Sequence, residues 1–224
     1  VPLRRTLVSR RASRFEVDNR IAETADEWIE RESGIQVDVM FRPVASFEAH
    51  FLYLFEKFEA RPGYSTAVWH NVRSSTILFD REGWFARLQQ QTDQPYPEEL
   101  ARAIIALNVP LLHGAINSRA AQAKLAARRG DMVAVNSALT KLLASYFDVL
   151  FALNRTLHPG EKRQLTFIST LADVPLNAAR DIERLLSFTK ATLHEVPNHI
   201  EAVVIPLLRL LKKRRQMPTF AGPP

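Results

Sequence analysis

One acid opens the chemical reading of this chain. Asp38 lies in Gln36-Val37-Asp38-Val39, where polar and apolar residues alternate as they do along a strand. A carboxylate held among β-branched neighbours has two readings. It can be a solvent-facing strand position. It can also be a ligand for a divalent metal or a general base, because phosphoryl and nucleotidyl transfer need acids held rigidly beside Mg²⁺. Other chemistries are poorly served. His194-Glu195 with His199 mimics a zinc-protease helix, but the second histidine is one residue too far along and Pro197 intervenes. His50, His70, His113 and His158 show no ligand spacing. There is no Walker loop, no G-x-G-x-x-G and no G-x-S-x-G. The absence of cysteine excludes a disulfide scaffold, a thiolate zinc site and a cysteine nucleophile.

The elements that must position Asp38 follow from periodicity. The first third reads as mixed α/β. A short helix is expected over Glu23 to Glu32, closed by Ser33-Gly34, then a strand from Ile35 to Phe41 ended by Pro43. Phe47 to Ala60 is amphipathic and helical. Tyr64 to Asn71 and Thr76 to Phe79 are strand candidates, Asp80 to Gly83 a turn, and helix resumes at Trp84. From about residue 96 helical periods dominate. Helices are expected from Pro97, over Pro110 to Arg129, over Asp131 to Leu157 with Asp131 as cap, and around 161–170, 177–189 and 196–213, with a kink or break at Pro206. The organisation is α+β: a small α/β piece over 1–90, of which 1–14 is basic and flexible, a helical bundle over 91–215, and a disordered tail over 216–224.

Projection of the longest helix at about 100° per residue puts Met132, Val135, Leu139, Leu142, Tyr146 and Leu153 on one apolar face. Asn136 and Asn154 fall on its margin, either as packing residues between helices or as the border of a ligand cleft. Lys141, Asp148 and Arg155 share the opposite face, so Asp148 is expected as an exposed acid between two bases.

Charge is concentrated. Thirty Lys+Arg against twenty-four Asp+Glu give +6. Arg4, Arg5, Arg10, Arg11 and Arg14, with Arg209, Lys212, Lys213, Arg214 and Arg215, account for +10, which leaves 6 − 10 = −4 for the rest. The basic balance therefore describes two segments and not a broad nucleic-acid face, and RNA is expected as a partner only through those segments. Ser9-Arg10-Arg11 is followed by no apolar stretch, and the apolar run Ala202 to Leu208 is far shorter than a bilayer span. A cytoplasmic protein with no membrane partner is expected.

Taken in order, several runs carry a resemblance. They are Asp18-Asn19-Arg20, Asp26 to Met40, Trp69-His70-Asn71-Val72-Arg73, Ile77 to Phe85, Gly130 to Asn136 and Leu153 to Arg163. Together, over roughly residues 15–190, they resemble nucleotidyltransferases of the DNA polymerase beta superfamily. The set resembles bacterial proteins with a helical C-terminal domain, related to the aminoglycoside and lincosamide nucleotidyltransferases. The resemblance implies a partial palm, a short mixed sheet with helices, followed by an all-α bundle. It implies transfer of a nucleoside monophosphate from a nucleoside triphosphate to a hydroxyl of a small acceptor, with Mg²⁺. Asp38 would hold metal or take the hydroxyl proton, Lys162 would meet phosphate, and Asn154 and His158 would line the cleft. Trp69 and Trp84 are expected as aromatic core more than as base-stacking residues.

One departure qualifies this. The family's Gly-Ser turn and Asp-x-Asp pair have no counterpart before Asp38. The resemblance thus implies a truncated or degenerate member with impaired catalysis, and self-association through an exposed sheet edge. The alternative is a non-catalytic helical module that binds a nucleotide, an RNA or a protein.

Overall fold

The strand that carries Asp38 forms as its alternation requires. β3 (Gln36–Met40) lies at one edge of a three-stranded antiparallel sheet with β1 (Ala12–Asn19) and β2 (Ala25–Glu30), in the order β1-β2-β3. The computed structural model describes residues 1–21 and 23–218. Among the described residues the fold is α+β, with this sheet and ten α-helices, divided into a unit of Val1–Leu52 and a second from Tyr53 onward.

Two expectations for the first unit are corrected. The segment read as a helix over Glu23 to Glu32 is β2. Its Trp28 and Ile29 are strand formers, and pairing on both sides (Trp28 with Phe15 and with Val37) outweighs the local helical pattern. The basic segment 1–14, expected to be flexible, is helix α1 (Pro2–Arg11) leading directly into β1. Proline suits its first turn, where no helical N–H partner is required. Helix α2 (Val44–Phe55) then carries the chain into the second unit.

The second unit is helical throughout. Tyr64 to Asn71 is not a strand but a loop followed by α3 (Ala67–Ser74). Thr76 to Phe79 is also not a strand. β-forming side chains make a strand only when an edge accepts them, and here Leu78 and Phe79 stand exposed. After α4 (Trp84–Thr92), α5 (Glu98–Leu112) continues through Pro110, so the helix expected over Pro110 to Arg129 starts later, as α6 (Arg119–Arg128), with Ser118 accepting a hydrogen bond from the Ala121 N–H. α7 (Met132–Leu153) opens on the Asp131 cap as expected, 3.0 Å from the Ala134 nitrogen. It stops four residues before Leu157, because Arg155 takes a left-handed backbone, φ 51°. α8 (Gln164–Ile168), α9 (Ala178–Leu186) and α10 (Val196–Lys213) complete the unit. Pro206 does not break α10. One missing backbone hydrogen bond is outweighed by the buried stripe of Val203, Val204, Leu207 and Leu211 around it. Of the tail, 216–218 has no regular structure, and 219–224 lies outside the described residues.

The core centres on α7. Every residue from Leu142 to Leu153 is buried, so this helix is covered on all sides. α5 supplies Leu100, Ile104 and Ile105 to that core, and α10 supplies Ile200, Val203 and Leu207. The approach of the loop before α3 is set by Gly63. Its φ is 97°, and a β-carbon there would lie 2.9 Å from the Ala144 Cβ and 3.1 Å from the Ala144 carbonyl carbon. Neither the backbone angle nor the space admits a side chain. Gly63→Ala is therefore expected to destabilise the protein by about 2–4 kcal/mol in urea unfolding. A loss below about 1 kcal/mol would contradict this packing.

Candidate functional site

Asp38 is exposed, and the register places it in a row. Glu16 on β1 stands opposite Glu27 on β2, and Glu27 stands opposite Asp38 on β3. Directly opposed residues share one face of the sheet. The neighbouring row on that face is Arg14, Ile29 and Gln36. Three carboxylates in line repel one another, and the nearby amides moderate this. The Asn19 Nδ2 donates to Glu16 Oε2 (3.3 Å) and to Glu27 Oε1 (3.5 Å), and the Gln36 Nε2 donates to Asp38 Oδ1 (3.0 Å). An open hollow of about 230 Å³ lies on this face, bordered by Arg14, Glu16, Glu27, Ile29 and Gln36. Arg14 is the one cation on its border, 3.8 Å from Glu16.

These residues do not fit a magnesium centre. Mg²⁺ asks for a near-octahedral set of oxygen ligands. Among the described residues no three Asp, Glu, His or Cys side chains converge to hold a metal ion.

The other residues singled out by resemblance lie in the second unit. Lys162 is exposed. Asn154 is fully engaged: its Nδ2 donates to the Leu150 and Asp173 carbonyls, both at 2.8 Å, and its Oδ1 accepts from the Asp173 N–H at 2.8 Å. It ties the end of α7 to the loop after α8. Asn136 is exposed and bonds only within its own helix. His158 is wholly buried. Its ring packs on Phe151 and Tyr64 at 4.8 and 4.9 Å, its backbone N–H donates to Thr66 Oγ1, and its Nδ1 accepts from the Gly160 N–H. Burial, helped by the charge of His70, pulls its pKa down to about 4. It is therefore a neutral imidazole at neutral pH, with its proton on Nε2. Trp69 is core, as expected. It is 1% exposed, donates from Nε1 to the Thr92 carbonyl and packs on Phe55 and Tyr96.

The polar centre that periodicity misplaced is Asp148. It is 1% exposed, not the surface acid expected between Lys141 and Arg155. The projection assumed one buried face, whereas α7 is covered all round. Arg155 pairs instead with Glu98 through two hydrogen bonds. Asp148 accepts from Ser65 Oγ at 2.6 Å, from the Ser65 N–H at 3.0 Å and from Asn108 Nδ2 at 3.3 Å. Asn108 Nδ2 also reaches the Arg61 and Ile104 carbonyls. One carboxylate thus joins the 61–66 loop, α5 and α7. Burial pushes its pKa up to about 6, against the lowering effect of its three donors. Ser65 is itself 1% exposed, so the pair offers no nucleophile to a substrate and its role is architectural. The signal in the sequence was the single charge in the apolar stretch Leu142 to Leu153.

The sequence family described as a domain of unknown function (DUF4037) matches residues 65–163, less than half of the chain. That span begins at Ser65 and takes in Asn108, Asp148, Asn154, His158 and Lys162, and it leaves out Asp38. Comparisons with curated proteins and with solved structures give no match.

The two buried titratable groups act on stability with opposite sign. Asp148, raised from 3.8 to about 6, contributes stability below pH 4 that is lost as pH rises through 6. His158, lowered from 6.5 to about 4, contributes stability above pH 6.5 that is lost as pH falls through 4. In Asp148→Asn only the histidine effect remains. Measured by urea unfolding, the stability of the native chain relative to Asp148→Asn is expected to increase by about 2 kcal/mol from pH 7 to pH 4. A difference independent of pH would contradict the assignment.

Proposed function

We propose that the chain is a nucleotidyltransferase-like protein that holds one acid of the transfer chemistry and does not complete the reaction with its own residues. The observation that carries this reading is the place of Asp38: exposed in the middle of a strand, in a row with Glu27 and Glu16, which themselves border a hollow together with Arg14. The resemblance supplies the reaction class, attack of an acceptor hydroxyl on the α-phosphate of a nucleoside triphosphate with departure of pyrophosphate.

Within that reading Asp38 accepts the proton of the attacking hydroxyl, and the Gln36 amide fixes the orientation of its carboxyl group. Arg14 offsets phosphate charge at the hollow. The charge that develops on the phosphates is otherwise unopposed, because Glu16, Glu27 and Asp38 add negative charge on that face. Binding is therefore weak, and transfer does not proceed at a useful rate.

Two measurements test this. Titration with a nucleoside triphosphate to about 10 mM, as suits a weak site, is expected to move the backbone amide resonances of Arg14, Glu27 and Gln36 in a ¹H–¹⁵N spectrum. An unmoved spectrum would sink the nucleotide reading. Incubation with labelled nucleoside triphosphates, Mg²⁺ and hydroxylated small acceptors is expected to yield no transfer. Turnover abolished by Asp38→Ala would show that the chain is catalytically complete.

A further inference from the structure

Helix α1 turns one arginine toward the sheet and leaves two leucines and its other arginines exposed. Arg4 faces the sheet: its guanidinium lies 3.2 Å from the buried carboxylate of Asp26 and 4.4 Å above the ring of Phe41. Val8, one turn on, shares that half-buried side. Leu3 and Leu7, also one turn apart, lie about a quarter turn round the helix from that side and are 72% and 54% exposed. No residue of α1 is buried. Single exposed leucines are ordinary, and the pair is of interest only because Leu3 and Leu7 adjoin one another and continue into arginines.

The charges around them narrow what covers this face. Arg10 and Arg11 follow Leu7 by three and four residues and continue the same stripe. Neither has a carboxylate within ion-pair distance among the described residues. Glu30, which the register brings next to this end of β1, is taken up by the Ser33 hydroxyl and the backbone N–H groups of Glu32 and Ser33. The outward stripe is thus apolar at its start and cationic at its end, with no acid within it.

We propose that this face of α1 docks on an anionic lipid surface, with Leu3 and Leu7 entering the boundary between headgroups and acyl chains and with Arg10 and Arg11 on the headgroup phosphates. A nucleic acid would use the arginines but leave the two leucines without a role. A bilayer surface uses both. The expectation of no membrane partner rested on the lack of an apolar run long enough to span, and among the described residues no helix is long and apolar enough to cross a membrane. Lying on a surface needs no such helix.

The test is co-sedimentation of the 224-residue chain with vesicles. The chain is expected to sediment with phosphatidylcholine vesicles containing about 30% phosphatidylserine, not with phosphatidylcholine alone, and to be released by about 0.5 M salt. Leu3→Ser with Leu7→Ser is expected to reduce binding at least about fivefold with an unchanged circular dichroism spectrum, since neither side chain supports the fold. Failure to bind the anionic vesicles would overturn the proposal. So would binding that the leucine substitutions leave unchanged, or tight binding of single-stranded RNA that survives those substitutions.

Discussion

The second unit depends on one buried carboxylate. Asp148 sits in the helix that forms the centre of the core, at a point where every neighbour along the chain is buried. An acid there without partners would cost several kcal/mol, and the fold meets that cost with three donors from two other segments. The Ser65 hydroxyl has a second acceptor, the Arg61 carbonyl at 3.3 Å, and it accepts from the Arg61 N–H at 2.9 Å. When Asp148 gains a proton, the hydroxyl can turn to Arg61 and accept from the new carboxyl O–H. Asp148 and Ser65 keep their hydrogen bonds to one another in both protonation states, so a carboxyl with a raised pKa is tolerated there, while the buried Asn108 Oδ1 is left without a partner. The tight approach of Gly63 to Ala144 belongs to the same arrangement, because it brings Ser65 within reach of the carboxylate.

Much of this was legible, and what was missed has a common cause. Local rules served where local physics decides. The alternation around Asp38 gave β3, Asp131 gave the start of α7, and the bounds of α10 followed from its periodicity. The failures fall where tertiary partners decide. β2 carries a helical pattern but is claimed by strands on both sides. Thr76 to Phe79 carries a strand pattern but has no strand to pair with among the described residues. Asp148 was placed on a solvent face because a helical projection assumes one buried side, and the lone acid in an apolar stretch was the better signal.

The same holds for the candidate site. The resemblance singled out residues by their order along the chain, and their side chains serve different ends. Asn154 spends its amide on Asp173, and His158 is sealed against Phe151 and Tyr64. Asp38 alone among them stands exposed on a strand beside other acids, and neither row partner was visible before the register was known. The proposed chemistry therefore rests on the sheet face, while the DUF4037 span coincides with the buried network of the helical unit.

The central claim, that Asp148 is a buried carboxyl held by Ser65 and Asn108, is tested most directly by the pH titration of its side-chain ¹³Cγ resonance. The account predicts a midpoint near 6, well above the ordinary aspartate value, with the Ser65 amide proton shifting in step. A midpoint at or below about 4, with the Ser65 amide unmoved, would contradict it.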